Sequence, residues 1–296
     1  MVEMESVNTC FVYGVRANFF PILDNNLLRK GKNRFTIMRI LEYENNSYRS
    51  QAQSSSILGN ILPSIKFYSQ FVMIVFRAGW KAKRGPYKSA DWVSSSIDVL
   101  RGLERIGVSI EITGIENIVE QDGPVVFIGN HMSMMETLLL PGVVRPLTEV
   151  TFVVKEDLLE YPVFKHIMRS RNPIAVSRTN PRQDLKAVMT EGVARLNDGI
   201  SVIVFPQTTR AQKFDAKQMS SIGVKLAKKA KVPVIPLALK TDGWQNGTLL
   251  KDFGRIDTTM TAHFSFGKPL EIAGKGNDEQ QLVNEFIAGK LNSWQE

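Results

Sequence analysis

Val125-Val126-Phe127-Ile128-Gly129-Asn130-His131-Met132-Ser133-Met134-Met135-Glu136 is the stretch on which the fold turns. Its first four residues form an unbroken β-branched and aromatic run that stops at a glycine. Such a run is short for a helix and reads as a strand buried on both faces. A helical stretch is expected to follow over 135–143. Strand, turn and helix in succession make the repeating unit of a helix-covered sheet.

The same texture continues on both sides. Further strands are expected at 108–112, 150–154, 174–176, 201–205, 234–239 and 260–266. Helices are expected at 162–169, 181–197, 217–230 and 278–292. Alternation of this kind predicts an α/β class, with a mixed, largely parallel sheet covered by helices over residues 108–296. The chain has 296 residues, of which 43% are apolar, enough to bury a sizeable core.

Upstream the reading changes. Residues 1–56 show no sustained period and are expected to be a poorly ordered extension outside the folded body. A signal peptide is not expected, because no basic segment precedes an apolar run. Cys10 is the single cysteine, so no intrachain disulfide can form, in keeping with a reducing compartment. Residues 57–107 read as a membrane-associating helix pair. The first helix is apolar but interrupted by Pro63, Lys66, Gln70 and Arg77, so it suits an interface better than a span. A helix buried in the core is the alternative. The second helix has Asp91 as its expected N-cap and Gly107 as its stop.

The formal net charge is +8. Between residues 61 and 110, Lys66, Arg77, Lys81, Lys83, Arg84, Lys88, Arg101 and Arg105 face only Asp91, Asp98 and Glu104. A segment so biased should be drawn to a polyanionic surface, phospholipid head groups above all. Nucleic acid is not expected as a partner, because the aromatic and basic interleaving of nucleic-acid binders is missing.

Chemistry concentrates where strands end. His131 and Glu136 are five apart, about 140° apart on one continuous helix. They can meet only if His131 lies in the turn and Glu136 in the first turn of the next helix, the arrangement that a strand-to-helix junction supplies. The carboxylate would then hold one ring nitrogen and leave the other free to take a proton from a hydroxyl. In Phe205-Pro206-Gln207-Thr208-Thr209-Arg210, hydroxyls and a guanidinium stand together past a strand, a set that suits phosphate or carboxylate. Arg178 occupies the matching position after Ile174-Ala175-Val176. Val232-Pro233-Val234-Ile235-Pro236-Leu237 reads as a proline-bounded buried strand that could also line an acyl groove. Taken singly, each block also admits a plain structural reading.

Together and in this order, the four blocks resemble the glycerolipid acyltransferase family typified by bacterial 1-acyl-sn-glycerol-3-phosphate acyltransferase. The resemblance covers about residues 85–270. It implies an O-acyltransferase that moves a fatty acyl group from acyl-CoA or acyl carrier protein to a lysophospholipid hydroxyl in phospholipid synthesis. The expected acceptor is 1-acyl-sn-glycerol-3-phosphate. His131 then matches the general base and Glu136 its acid partner. Arg178 and Arg210 match arginines that bind the acceptor phosphate, with Lys155, Gln207, Thr208 and Thr209 as further substrate contacts. No metal or organic cofactor is implied. The expected place of action is a membrane, on the cytoplasmic face of the inner membrane, with phospholipids as partners. Backbone amides of the helix after His131 are candidate oxyanion donors.

Three departures from the family pattern stand out. Glu136 replaces the usual Asp, Gln207 the usual Glu and Thr208 the usual Gly. The last two leave the acceptor open. A late acyltransferase of the lipid A type and an inactive lipid-binding member are the alternatives.

Overall fold

The computed structural model describes residues 38–50, 63–162, 164–207, 209–247 and 252–295. In chain order these form β1 (Tyr48–Arg49), α1 (Pro63–Arg84), α2 (Ser89–Arg105), β2 (Ile110–Thr113), α3 (Glu116–Val119), β3 (Val126–Gly129), α4 (Met135–Val144), β4 (Val150–Lys155), α5 (Phe164–Arg169), β5 (Ile174–Val176), α6 (Pro181–Asn197), β6 (Ser201–Val204), α7 (Ile222–Ala230), β7 (Val234–Lys240), β8 (Ala262–Phe266) and α8 (Asn277–Ser293).

The strands make one eight-stranded sheet in the order β1-β2-β8-β7-β3-β6-β4-β5. From β7 to β5 every pairing is parallel, and β7–β8 and β1–β2 are antiparallel. The expected mixed, largely parallel class is therefore what forms. Two-residue alternation divides the sheet between two cores. Phe127, Ile203, Ile235, Leu237 and Leu239 face α1, α2 and α4. Val126, Ile128, Val202, Val204 and Val234 face α6, α7 and α8. Strands with an apolar residue on each face have no polar side, which is why 125–128 and 201–204 read as continuous apolar runs.

The helix pair α1–α2 belongs to this body. Phe67, Phe71, Val93, Ile97, Leu100 and Leu103 lie in the same core as Phe127. The Phe67 ring meets Trp244 edge-on at 5.0 Å, and Phe71 meets it at 5.8 Å. Burying each phenylalanine contributes about 1.5–3 kcal/mol, which holds α1 against the loop after β7. The α2–α4 crossing is close because of Gly142, whose N–H donates to Ser96 Oγ at 2.8 Å. A Cβ at 142 would stand 2.8 Å from that oxygen.

Two expectations are corrected. Residues 38–50, placed outside the body above, are part of it. Leu41 and Tyr48 are buried, Tyr48–Arg49 pairs with β2, and the Tyr48 hydroxyl donates to the buried Glu104 carboxylate. The segment is too short to show a period, and only its tertiary partners reveal it. The rest of the predicted extension, 1–37 and 51–56, lies outside the described residues. The second correction concerns α2, which starts at Ser89 with Lys88 as N-cap. Asp91 acts from the third helical position, accepting the Lys88 N–H at 3.0 Å. Gly107 does end the turn, in the left-handed region at φ 98°.

Candidate active site

The carboxyl ends of five parallel strands converge. His131 follows β3, Lys155 closes β4, Arg178 follows β5, Thr209 and Arg210 follow β6, and Thr241 follows β7. In open α/β sheets this edge is where ligands bind.

His131 is held from every side. Its Nδ1 lies 2.7 Å from Glu136 Oε2, so the pairing expected across the turn is made. Its ring stacks on Phe205 at 4.6 Å and 9°. Its N–H donates to Gln207 Oε1 at 2.6 Å, and its carbonyl accepts from the Ala211 N–H at 2.9 Å. The preceding residue anchors the turn. Asn130 Nδ2 donates to the Leu239 carbonyl at 2.7 Å, and the Leu239 N–H donates back to Asn130 Oδ1 at 2.9 Å. One side chain thus continues the β3–β7 ladder two residues past Gly129↔Leu237.

Glu136 is wholly buried. A bare carboxylate there would be costly, and the fold satisfies it instead. The Met132 N–H donates to Oε1 at 2.9 Å, the Ser133 N–H at 3.0 Å, and the Thr241 hydroxyl donates to the same oxygen. These bonds narrow one expectation. Of the amides after His131, those of Met132 and Ser133 serve Glu136, and the Met135 N–H serves Ser133 Oγ at 3.1 Å.

A cavity of about 690 Å³ opens over the imidazole. His131, Lys155, Arg178, Thr209 and Arg210 all line it, together with Asp252. The rest of the wall is mostly apolar and comes from α1, α2, β4 and α5, with Ile74, Val75, Trp92, Phe152, Phe164 and Ile167 among its residues. Tyr87 adds a phenol that burial pushes up to about 12, so it stays neutral. The charged end and the apolar length match a molecule with an anionic head and a hydrocarbon tail.

The two arginines are not equivalent. Arg210 Nη1 pairs with Asp252 Oδ1 at 2.6 Å. Arg178 is held below the ordinary guanidinium range, first by burial and then by the charge of Arg210. Its backbone is left-handed at φ 61°, a conformation costing about 1–2 kcal/mol in a residue with a side chain. Asp184 offsets this by accepting the Ser177 and Arg178 N–H groups, both at 2.8 Å. Lys155 pairs with Asp157.

Not every predicted contact reaches the cavity. Gln207 is buried behind His131 and serves its backbone, so it is a support and not a substrate contact. Thr208 lies outside the described residues. Sequence reading also passed over Thr241, Asp252 and the stacking of Phe205 on His131. Thr241 stands one residue beyond the end of β7, and a position past a strand end is what drew attention to His131 and the arginines.

A family model described as Acyltransferase matches residues 109–240. A 1-acyl-sn-glycerol-3-phosphate acyltransferase of Pseudomonas aeruginosa is 36% identical over 185 residues, covering 62% of this chain and 70% of that protein. This chain belongs to the 1-acyl-sn-glycerol-3-phosphate acyltransferase family. Membership makes it an O-acyltransferase of phospholipid synthesis. A chloroplastic 1-acyl-sn-glycerol-3-phosphate acyltransferase of Brassica napus is 27% identical over 135 residues, 45% of this acyltransferase and 38% of that protein. The crystal structure of the 1-acyl-sn-glycerophosphate acyltransferase of Thermotoga maritima shares the fold, with a TM-score of 0.55 and 21% identity over 80% of this acyltransferase and 96% of that chain.

Proposed function

We propose that this acyltransferase transfers a fatty acyl group from an acyl thioester, acyl-CoA or acyl carrier protein, to the free hydroxyl of 1-acyl-sn-glycerol-3-phosphate at a membrane surface. One observation carries the reading: an imidazole fixed by a buried carboxylate shares a cavity with two guanidiniums and a long apolar wall. The P. aeruginosa relative's name supplies the acceptor class.

Glu136 occupies the Nδ1 side of His131, which leaves Nε2 as the nitrogen that meets the acceptor hydroxyl. Nε2 takes the hydroxyl proton as the oxygen attacks the thioester carbonyl carbon. The tetrahedral intermediate expels the thiolate, which leaves with the proton returned from the imidazolium. A base held in this way contributes about 10²–10⁴-fold. Arg178 and Arg210 hold the acceptor phosphate, with Thr209 and Lys155 beside it. The acyl thioester is a co-substrate, and the scheme invokes no cofactor.

The membrane part rests on α1. Opposite its buried face it exposes Ile65, Val72, Met73, Phe76 and Trp80, flanked by exposed Lys66, Arg77, Lys81, Lys83 and Arg84. Arg84 lies over the Trp80 ring at 3.9 Å. Among the described residues no helix is long and apolar enough to cross a membrane. An apolar stripe edged by cations suits a helix lying in the head-group layer. The proposed site of action is the cytoplasmic face of the inner membrane.

The test is transfer of labelled acyl groups from both donor types to a panel of lysolipids by the parent and His131→Ala. Loss of transfer by about 10²-fold or more is expected. Retention of activity within a few-fold rejects the reading.

A further inference from the structure

A chain of three hydroxyl-mediated bonds runs into the carboxylate behind His131, and nothing in the acyl-transfer scheme above uses it. It begins at the Met135 N–H, which donates to Ser133 Oγ at 3.1 Å. Ser133 Oγ donates to Thr241 Oγ1 at 3.0 Å. The Thr241 hydroxyl donates to Glu136 Oε1. Ser133, Glu136 and Thr241 are all essentially inaccessible to solvent. The direction of the chain is set by its ends. An amide N–H can only donate and an ionised carboxylate can only accept, so both hydroxyl hydrogens point toward Glu136.

We infer that Thr241 is a positioning residue for acyl transfer, acting through Glu136 to fix the imidazole. Glu136 Oε2 takes the imidazole, and Oε1 takes Met132 N–H, Ser133 N–H and Thr241 Oγ1. The two amides come from the turn that carries His131 itself. Thr241 is the donor to Oε1 from a different strand, and it ties the carboxylate to the sheet. A glutamate has one more rotatable bond than the aspartate usual at this position. Its terminal torsion is broad unless a partner fixes it. Thr241 fixes it, and with it the orientation of the His131 ring and which nitrogen faces the cavity. The strand order puts it there: β3 and β7 are adjacent and parallel, so the residues just past their ends face one another.

The inference rests on the general-base reading of His131, and the experiment separates the two. Steady-state acyl transfer is measured for the parent, His131→Ala, Thr241→Val, Thr241→Ser and Ser133→Ala. Thr241→Val keeps the shape and removes the hydroxyl. A hydrogen bond to a buried charged group, expressed in the transition state, predicts a fall in kcat of about 10- to 100-fold with KM for both substrates within about two-fold. Thr241→Ser restores the donor and recovers most of that loss. If Thr241→Val does not fold, Ser133→Ala cuts the chain one step earlier and predicts a several-fold fall in kcat at unchanged KM. An active His131→Ala enzyme overturns the general-base reading. An inactive His131→Ala beside a Thr241→Val enzyme with parental kcat overturns this inference alone. Equal losses in the Val and Ser variants do the same, since packing and not the hydroxyl would then matter. Parental kcat in Ser133→Ala, where Thr241→Val is not obtained folded, also counts against it.

Discussion

Gln207 accepts the backbone N–H of His131 through its side-chain oxygen at 2.6 Å. The loop that carries Arg210 is thereby bound to the residue that carries the base, and the Ala211 N–H completes the strap from the other side at 2.9 Å. The base and the anion site are built as one unit.

The departure from the usual glutamate at 207 is therefore mild in its effect on the turn, because either residue presents an acceptor oxygen. Gln207→Glu is expected to keep kcat within about an order of magnitude, whereas Gln207→Leu strands a buried N–H and should cost about 1–3 kcal/mol of stability. Chemical denaturation and kcat of both variants check it. A Leu variant as stable and active as the parent would contradict the strap.

Asp252 forms an ion pair with Arg210 at 2.6 Å. A phosphate that binds Arg210 must displace or share this carboxylate. Asp252→Asn removes the competitor and one like charge, so KM for a phosphomonoester acceptor should fall by about two- to ten-fold. KM for a neutral acceptor such as a monoacylglycerol should not change. A rise in KM for the phosphorylated acceptor instead would mean that Asp252 orients Arg210.

Exposed aromatic and apolar residues on α1 should govern membrane affinity without touching chemistry. Phe76→Ser with Trp80→Ser removes two side chains that contribute about 1.5–3 kcal/mol each when buried in the interface. Partitioning onto anionic vesicles, read by sedimentation, should drop by about 10-fold or more. Activity on a short-chain, water-soluble acceptor should persist. Unchanged sedimentation would place the membrane contact elsewhere.

His263 on β8, which does not line the cavity, offers a pH test. Its ring stacks on Trp294 at 4.7 Å, and its Nδ1 lies 3.3 Å from Glu111 Oε2. Burial pulls its pKa below the ordinary 6.5, with Glu111 opposing the shift and Lys240 adding to it. The folded protein then binds this proton less readily than the unfolded chain. The contribution is fully present above about 6.5 and is lost as pH falls through the lower folded value. Denaturation midpoints of the parent minus those of His263→Gln should decline over that window. A difference that grows on acidification would reverse the sign.

The extent of legibility differs between parts of the molecule. Strands 174–176 and 201–204 and helix 181–197 were readable because continuous apolar runs and helical spacing each report a local cause. β1 was not, because Tyr48 and Arg49 owe their strand to β2 and to the buried Glu104 carboxylate, both more than fifty residues away. Asp91 was seen as a capping residue but placed at the wrong step, since a carboxylate can close a helix from the third position as well as from the N-cap.

By itself the sequence determined the α/β class, the placing of His131, Arg178 and Arg210 just past strand ends, and the spacing that lets Glu136 reach back to the imidazole. These follow from local periodicity and from the geometry of a single turn. Only the tertiary structure decided that Gln207 serves the backbone of His131, that Thr241 holds Glu136, and that Asp252 meets Arg210. Each of those contacts joins segments that follow different strands. Strand order is settled by how whole apolar faces pack against their helices, and no short stretch of chain carries that information.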